Sequence, residues 1–273
     1  MTKLHLTGRA LMAVLALSAV MSLQKVAAQI AVDELELFMK PDGTRPRTAS
    51  IRVTNPTDRP QQVNVELQDW DRDDAGANRF HALGTVAQSC GAKLKIFPMT
   101  LRIEAGRTEV VRVSYEGGAA DACWAIVFMQ GSDPAQAIQQ RSSITYIVRT
   151  GVKVYVEPDN AKRLGDVDDV KLVTIKEAPR AGSADSVAVQ NIEVAFRNSG
   201  TAHVKTRGVI EIRSADNQEV AKLDILEFPT VPGARRRVLV PLPALKPGRY
   251  VALALLDYDG DEIAAGQLEF EVK

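Results

Sequence analysis

From Ser142 to Pro158 the chain reads SSITYIVRTGVKVYVEP, with Ile144, Tyr146, Val148, Thr150, Val152, Val154 and Val156 on one parity. Thr145, Ile147, Arg149, Gly151, Lys153, Tyr155 and Glu157 take the other. Successive side chains of a strand point to opposite faces, so this alternation predicts a strand over 144–156. It is long against the usual five or six residues, and it stops at a proline. Shorter runs of the same kind precede it, at 33–39, 48–55, 61–70, 92–97, 107–115 and 123–130. Turn formers separate them: KPDGTRP after the first, PTDRP after the second and DRDDAGAN (71–78) after the third. That last segment is acidic, with nothing to bury, and predicts a loop.

At Pro158 the alternation breaks into PDNAKRLGDVDD, and a second series follows at 170–176, 187–198, 202–214, 218–226, 235–242, 248–258 and 266–273. Asn198-Ser199-Gly200 and Tyr258–Glu262 carry hairpin-type turns. About seven strands in each series, with no helix-period run of useful length, predict an all-β chain of two immunoglobulin-like β-sandwich domains, 29–158 and 159–273. Each half is large enough to bury a core of its own.

The N-terminus reads differently. MTKLHLTGR carries two positive charges, Ala10–Leu23 is a 14-residue apolar run, and small residues surround Ala28. That order predicts a secretory signal peptide over 1–28, with an uncleaved anchor as the alternative; the run is short for a membrane span. Cleavage would remove Lys3, Arg9 and Lys25, leaving 31 basic against 34 acidic residues, a formal net charge of −3. So balanced a charge argues against nucleic acid as a partner. No later segment approaches twenty apolar residues, which predicts a mature chain without a membrane span, exported to the periplasm. In an exported chain the even pair Cys90 and Cys123 reads as a disulfide, the alternative being two buried thiols. Two cysteines are too few for a zinc site made of cysteines alone.

Little in the chain suggests catalysis. Of three histidines, His5 lies in the leader, and His81 and His203 fall in different predicted domains without metalloprotease spacing. No GxSxG, phosphate-loop or dinucleotide motif occurs. Asp257–Glu262 (DYDGDE) resembles a calcium loop only faintly and reads as an ordinary turn. Arg235–Arg237 reads as a solvated strand end, and DWDRDD (69–74) as a solvated acidic loop rather than a carboxylate pair. The expectation is a non-enzymatic protein with no cofactor and no metal.

Four segments carry a resemblance. ASIRVTNPTDRPQQVNVELQDW (49–70), FPMTLRIEAGRTEVVRV (97–113), CWAIVFMQ (123–130) and VKVYVEP (152–158) resemble, in order, the first domain of the PapD-like periplasmic chaperones that assemble surface pili. The resemblance spans about residues 31–158; the second half fits the two-domain architecture without a specific motif. It implies that the long strand lies at a sheet edge and is donated, around 142–156, to a pilin-like subunit lacking a strand. Backbone hydrogen bonds would then supply affinity, and Ile144, Tyr146 and Val148 would fill the subunit's pockets. Val152 and Val154 would serve the domain's own core. The resemblance also implies a client carboxylate held between the domains by two cations, and an outer-membrane usher as a further partner. Lys153 matches one cation, but alignment places Leu37 at the other, with Lys40 the nearest basic residue. Glu157 stands where the family usually has an arginine bracing the domains. The cysteine pair is a further departure. A structural or adhesive module of an envelope complex is the alternative function, and a carbohydrate-binding β protein a third.

Overall fold

The computed structural model describes residues 30–41, 47–118, 122–132, 148–177 and 186–273. Among them the chain forms two β-sandwiches. The first has ten strands: β1 (Ala31–Val32), β2 (Glu36–Met39), β3 (Thr48–Thr54), β4 (Gln61–Arg72), β5 (Asn78–His81), β6 (Leu94–Phe97), β7 (Thr100–Ile103), β8 (Thr108–Tyr115), β9 (Cys123–Ser132) and β10 (Arg149–Val156). One sheet has the order β1-β3-β8-β6; the other runs β2-β10-β9-β4-β5, with β7 also on β4. The second sandwich pairs a sheet β11-β12-β15 (Gly165–Glu177, Val187–Asn198, Arg235–Pro241) with β14-β13-β16-β17 (Glu219–Thr230, Val204–Ser214, Gly248–Asp257, Ala264–Val272).

Alternation explains the cores. Ile51, Val53, Val63, Val65, Val111 and Val113 meet Ala125, Val127, Met129, Val152, Val154 and Val156 inside the first sandwich, all buried. Burying each such aliphatic side chain is worth roughly 1.5–3 kcal/mol. Ile192, Val194, Phe196, Ile210, Ile212 and Leu256 do the same in the second. Each core is closed by an asparagine at the end of an inner strand. Buried Asn55 donates to the carbonyls of Arg59 and Ile103, and buried Asn198 to those of Ala202 and Thr230. A side-chain amide thus satisfies backbone oxygens that a turn would leave orphaned.

Strand expectations hold at fourteen places, that of 144–156 over its described part, and three short strands, β1, β5 and β7, add to them. The segment 71–78 is a hairpin rather than a loop: β4 continues to Arg72 and pairs with β5, Asp71 standing opposite Arg79 at 2.7 Å. Cross-strand charge pairing lets so polar a stretch stay in a ladder. DWDRDD is not wholly solvated either. Asp69 is fully buried and accepts from the Thr85 and Val86 amides at 2.8 and 3.2 Å and from Ser89 Oγ at 2.6 Å. The second series starts earlier than its alternation implies, at Gly165, because a register shift between Val167 and Asp169 interrupts the period.

The loop that Asp69 orders ends at Cys90, which is disulfide-bonded to Cys123, the first residue of β9. With a sequence separation of 33 between the partners, the chain-entropy model gives the bridge about 3–4 kcal/mol. Urea denaturation of Cys90→Ala/Cys123→Ala is therefore expected to show a loss of about that size. A loss below about 1 kcal/mol would mean that the Asp69 bonds suffice to hold the loop.

Candidate functional site

β10 is the strand where the two faces and two edges of a sheet have different occupants. On one edge it pairs antiparallel with β9 from Arg149 to Val156. On the other, β2 lies parallel to it, but only from Lys153 to Val156; the contact starts where the Lys153 amide donates to the Leu35 carbonyl at 2.9 Å. Among the described residues nothing pairs with that edge at 149–152. Backbone groups alternate sides along a strand, so Arg149 and Gly151 direct their N–H and C=O into this slot, in line with β2.

Beside the slot a groove of about 850 Å³ crosses the outer face of the sheet. Ile126 and Phe128 form its floor, Leu35 and Glu36 one wall, Asn78 and Phe80 the other. Phe80 meets Phe128 edge to face at 4.9 Å, and the Arg149 guanidinium lies 4.2 Å above the Phe128 ring. Gly151 keeps the groove open: a Cβ there would stand 2.7 Å from Ile126 and 3.0 Å from Phe128.

At the groove's inner end two cations share one indole. Lys153 Nζ sits 4.5 Å and Arg72 Cζ 5.3 Å from the Trp70 ring centroid. Burial, then the neighbouring Arg72 charge, push the Lys153 ammonium down to about 8, while Glu36 opposes the shift. Trp70 is fully buried and is fixed by donation from Nε1 to the Ala125 carbonyl at 3.2 Å.

Below Lys153 the same face becomes a seam between the sandwiches. Tyr155 packs edge-on to Trp70, stacks on Phe38 at 5.0 Å and meets His203 of the second sandwich at 4.3 Å. Val231 joins Trp70, Trp124 and Ile126 from the far side. Polar groups pin the rim. Glu157 accepts the His203 amide at 2.5 Å, Lys205 pairs with Glu36 at 3.1 Å, Arg72 donates to the Pro229 carbonyl at 2.9 Å, and the Arg237 amide donates to the Asp74 carbonyl at 2.7 Å. The connecting segment is fastened too, since Thr201 and Ala202 amides both donate to the Lys162 carbonyl. Any Cβ at Gly200 would strike that carbonyl at 2.3 Å, which explains a glycine there.

Of the residues singled out from sequence, Ile144 and Tyr146 lie outside the described residues. Val148 is 42% exposed and immediately precedes β10. Lys153 lies in the groove, and Leu37 is buried beside Val154 with no cation near it on β2. Sequence reading passed over Arg72, Trp70, Phe80, Phe128 and Gly151. One signal was present: Trp70 and Arg72 are two apart on a strand and so share a face.

The fold is similar to that of the class 5 fimbriae chaperone CfaA, with a TM-score of 0.50 and 10% identity over 89% of this chain and 99% of that one. Weaker similarities are to the YadV chaperone (TM-score 0.46, 13% identity, 89% and 100% covered) and the E. coli chaperone DraB (0.43, 15%, 89% and 98%). The chain has the fold of a fimbriae chaperone. No protein-family model and no curated protein matches its sequence.

Within this chaperone fold one expectation needs correcting: 142–156 is not an edge throughout. From Lys153 to Val156 the strand is interior, held between β9 and β2, because the chain before β3 folds back alongside it. Within the described part of β10 only 149–152 is open. The face of Gly151, Lys153 and Tyr155, which alternation leaves undecided, carries the groove and the seam.

The seam should respond to acid. Burial pushes the His203 imidazole down to about 4, so the folded chain keeps it neutral where the unfolded chain, near 6.5, takes up a proton. Stability from this group is present above about pH 6.5 and lost as pH falls toward 4. Chemical denaturation is expected to show up to about 3 kcal/mol less stability at the acid end, and His203→Gln should flatten that dependence. An equally steep profile in the variant would place the acid sensitivity elsewhere.

Proposed function

We propose that the protein is a periplasmic assembly chaperone, exported by the signal peptide at 1–28, that holds surface subunits lacking a strand of their own. One observation carries this reading: among the described residues the β10 edge has no partner at 149–152, in line with β2, a slot one extended segment wide. An unpaired edge beside apolar side chains promotes aggregation unless something occupies it. The likeness to a fimbriae chaperone in fold supports the same choice of partner.

In this reading the client strand continues the line of β2 and pairs with β10 and the residues before it. Ile144, Tyr146 and Val148 fill alternate pockets of the client, while backbone bonds to Arg149 and Gly151 provide affinity independent of client sequence. Lys153 stands at the end of the slot as the anchor for the client's C-terminal carboxylate. With its carboxylate there, the client strand runs parallel to β10, as β2 does. The protein performs no reaction; what it supplies is a missing strand, and an outer-membrane usher would receive the loaded complex. The domain boundary falls near Pro158, and the second sandwich holds the first in a fixed attitude through the seam.

In the free protein, hydrogen exchange is expected to be fast at the Arg149 and Gly151 amides and slow at Lys153 and Tyr155, whose amides face β2. Protection at all four would mean a closed edge and would sink the reading. Capture from the native periplasm, beside Tyr146→Asp and Val148→Asp, should yield a strand-deficient subunit that each variant loses by tenfold or more, since a carboxylate is costly to bury in an apolar pocket. The same envelope proteins in every lane would instead favour a structural module.

A further inference from the structure

We infer that Arg72 is the second cation of the carboxylate site and that the second sandwich aims it. This rests on the strand-capture reading and adds to it a residue from a different strand and a role for the second half of the chain.

The position expected to bear a cation, on β2, holds none: Leu37 is buried, and the residue in register with Lys153 is Glu36. The charge comes from the opposite direction. Arg72 projects from the end of β4 onto the Trp70 ring that Lys153 also covers, at 5.3 and 4.5 Å from its centroid. Two like charges on one indole repel, and an anion between them would offset that repulsion. Among the described residues no hydrogen bond or ion pair reaches Lys153 Nζ, and Arg72 is bonded only to neutral oxygens. Its Nε donates to Asn78 Oδ1 at 2.9 Å and its Nη1 to the Pro229 carbonyl at 2.9 Å. Glu36, in register with Lys153, is drawn to Lys205 at 3.1 Å. Glu36, shared with Lys205, offsets the pair only in part, so net positive charge stays at the end of a slot shaped for a strand.

The chemistry fits a terminal carboxylate. It has two oxygens to share, one for the compact ammonium and one for an edge of the planar guanidinium, whose remaining N–H groups stay available. Pro229 belongs to β14, so the bond that sets the guanidinium's direction crosses the seam. Docking of the second sandwich is thereby a condition for a complete site. Glu36 on the groove wall disfavours a second acidic group beside the terminus, which makes the site selective for a single carboxylate.

The test uses the full mature chain and a pool of N-acetylated strand-length peptides with alternating apolar residues, made once as the free acid and once as the C-terminal amide. Anisotropy gives the ratio of the two affinities. Wild type is expected to favour the acid by about tenfold or more, the usual worth of hydrogen bonds to a charged group. Lys153→Met and Arg72→Gln should each reduce that ratio several-fold, and Arg72→Lys should retain part of it. A general loss of structure would lower both affinities together and leave the ratio standing, so the ratio reports the site itself. If Arg72→Gln keeps the wild-type ratio while Lys153→Met loses it, the assignment of Arg72 is overturned and the Lys153 anchor survives. Equal affinity of wild type for acid and amide would remove the carboxylate site and leave strand addition intact. Binding of neither pool would remove strand capture itself, and this inference with it.

Discussion

In most sandwiches the outer face of each sheet meets water, but the sheet containing β10 has apolar side chains on both faces. Val152, Val154 and Val156 enter the first core, while Tyr155, Trp70 and Trp124 on the opposite face are buried against the second sandwich. Burying aromatic rings of this size is among the largest single contributions a small interface can have. The rest of the molecule is arranged around that burial. Phe38 and His203 cover Tyr155 from two sides, and Glu157 and the connecting segment are bonded to the second sandwich rather than left free.

A second consequence is the division of β10 along its length. Toward Val156 its faces and edges are all taken, so that half of the strand is rigid and belongs to the protein itself. Toward Arg149 one edge and one face are uncovered, with Gly151 leaving space above Ile126 and Phe128. A strand anchored at one end and open at the other is suited to template a partner without unfolding to do so. Its fixed half keeps register, and a one-residue slip would turn every apolar side chain to the wrong face.

The seam also accounts for two departures from the pilus-chaperone pattern. Where an arginine is expected as a brace, Glu157 accepts a backbone N–H of the second sandwich, so a carboxylate takes the bracing position with the polarity of the contact reversed. Where a first-strand cation is expected, β2 presents Glu36 and Leu37, and the second cation over the Trp70 ring beside Lys153 comes from β4, as Arg72. Both changes fall on residues that touch the same seam.

Alternation along the chain was enough to read two all-β sandwiches and fourteen of their strands, and the even cysteine count of an exported chain was enough to read the pairing of Cys90 with Cys123. These depend on period-two burial and on the oxidation state of an exported pair, which are local or compositional properties. The core role of Val152 and Val154 and the choice of Lys153 came from the family resemblance instead. Alternation did not reveal that Asp69 is buried, because its partners Thr85, Val86 and Ser89 come from a loop whose path is set by contacts. Nor could it show that Arg72, 81 residues before Lys153, shares the same indole. Whether the odd-numbered face of β10 meets water or a second sandwich was equally undecided, since Gly151, Lys153 and Tyr155 suit either. Sequence determined which side chains alternate; only tertiary structure decided what each face and each edge would meet, because strand neighbours are chosen by long-range pairing.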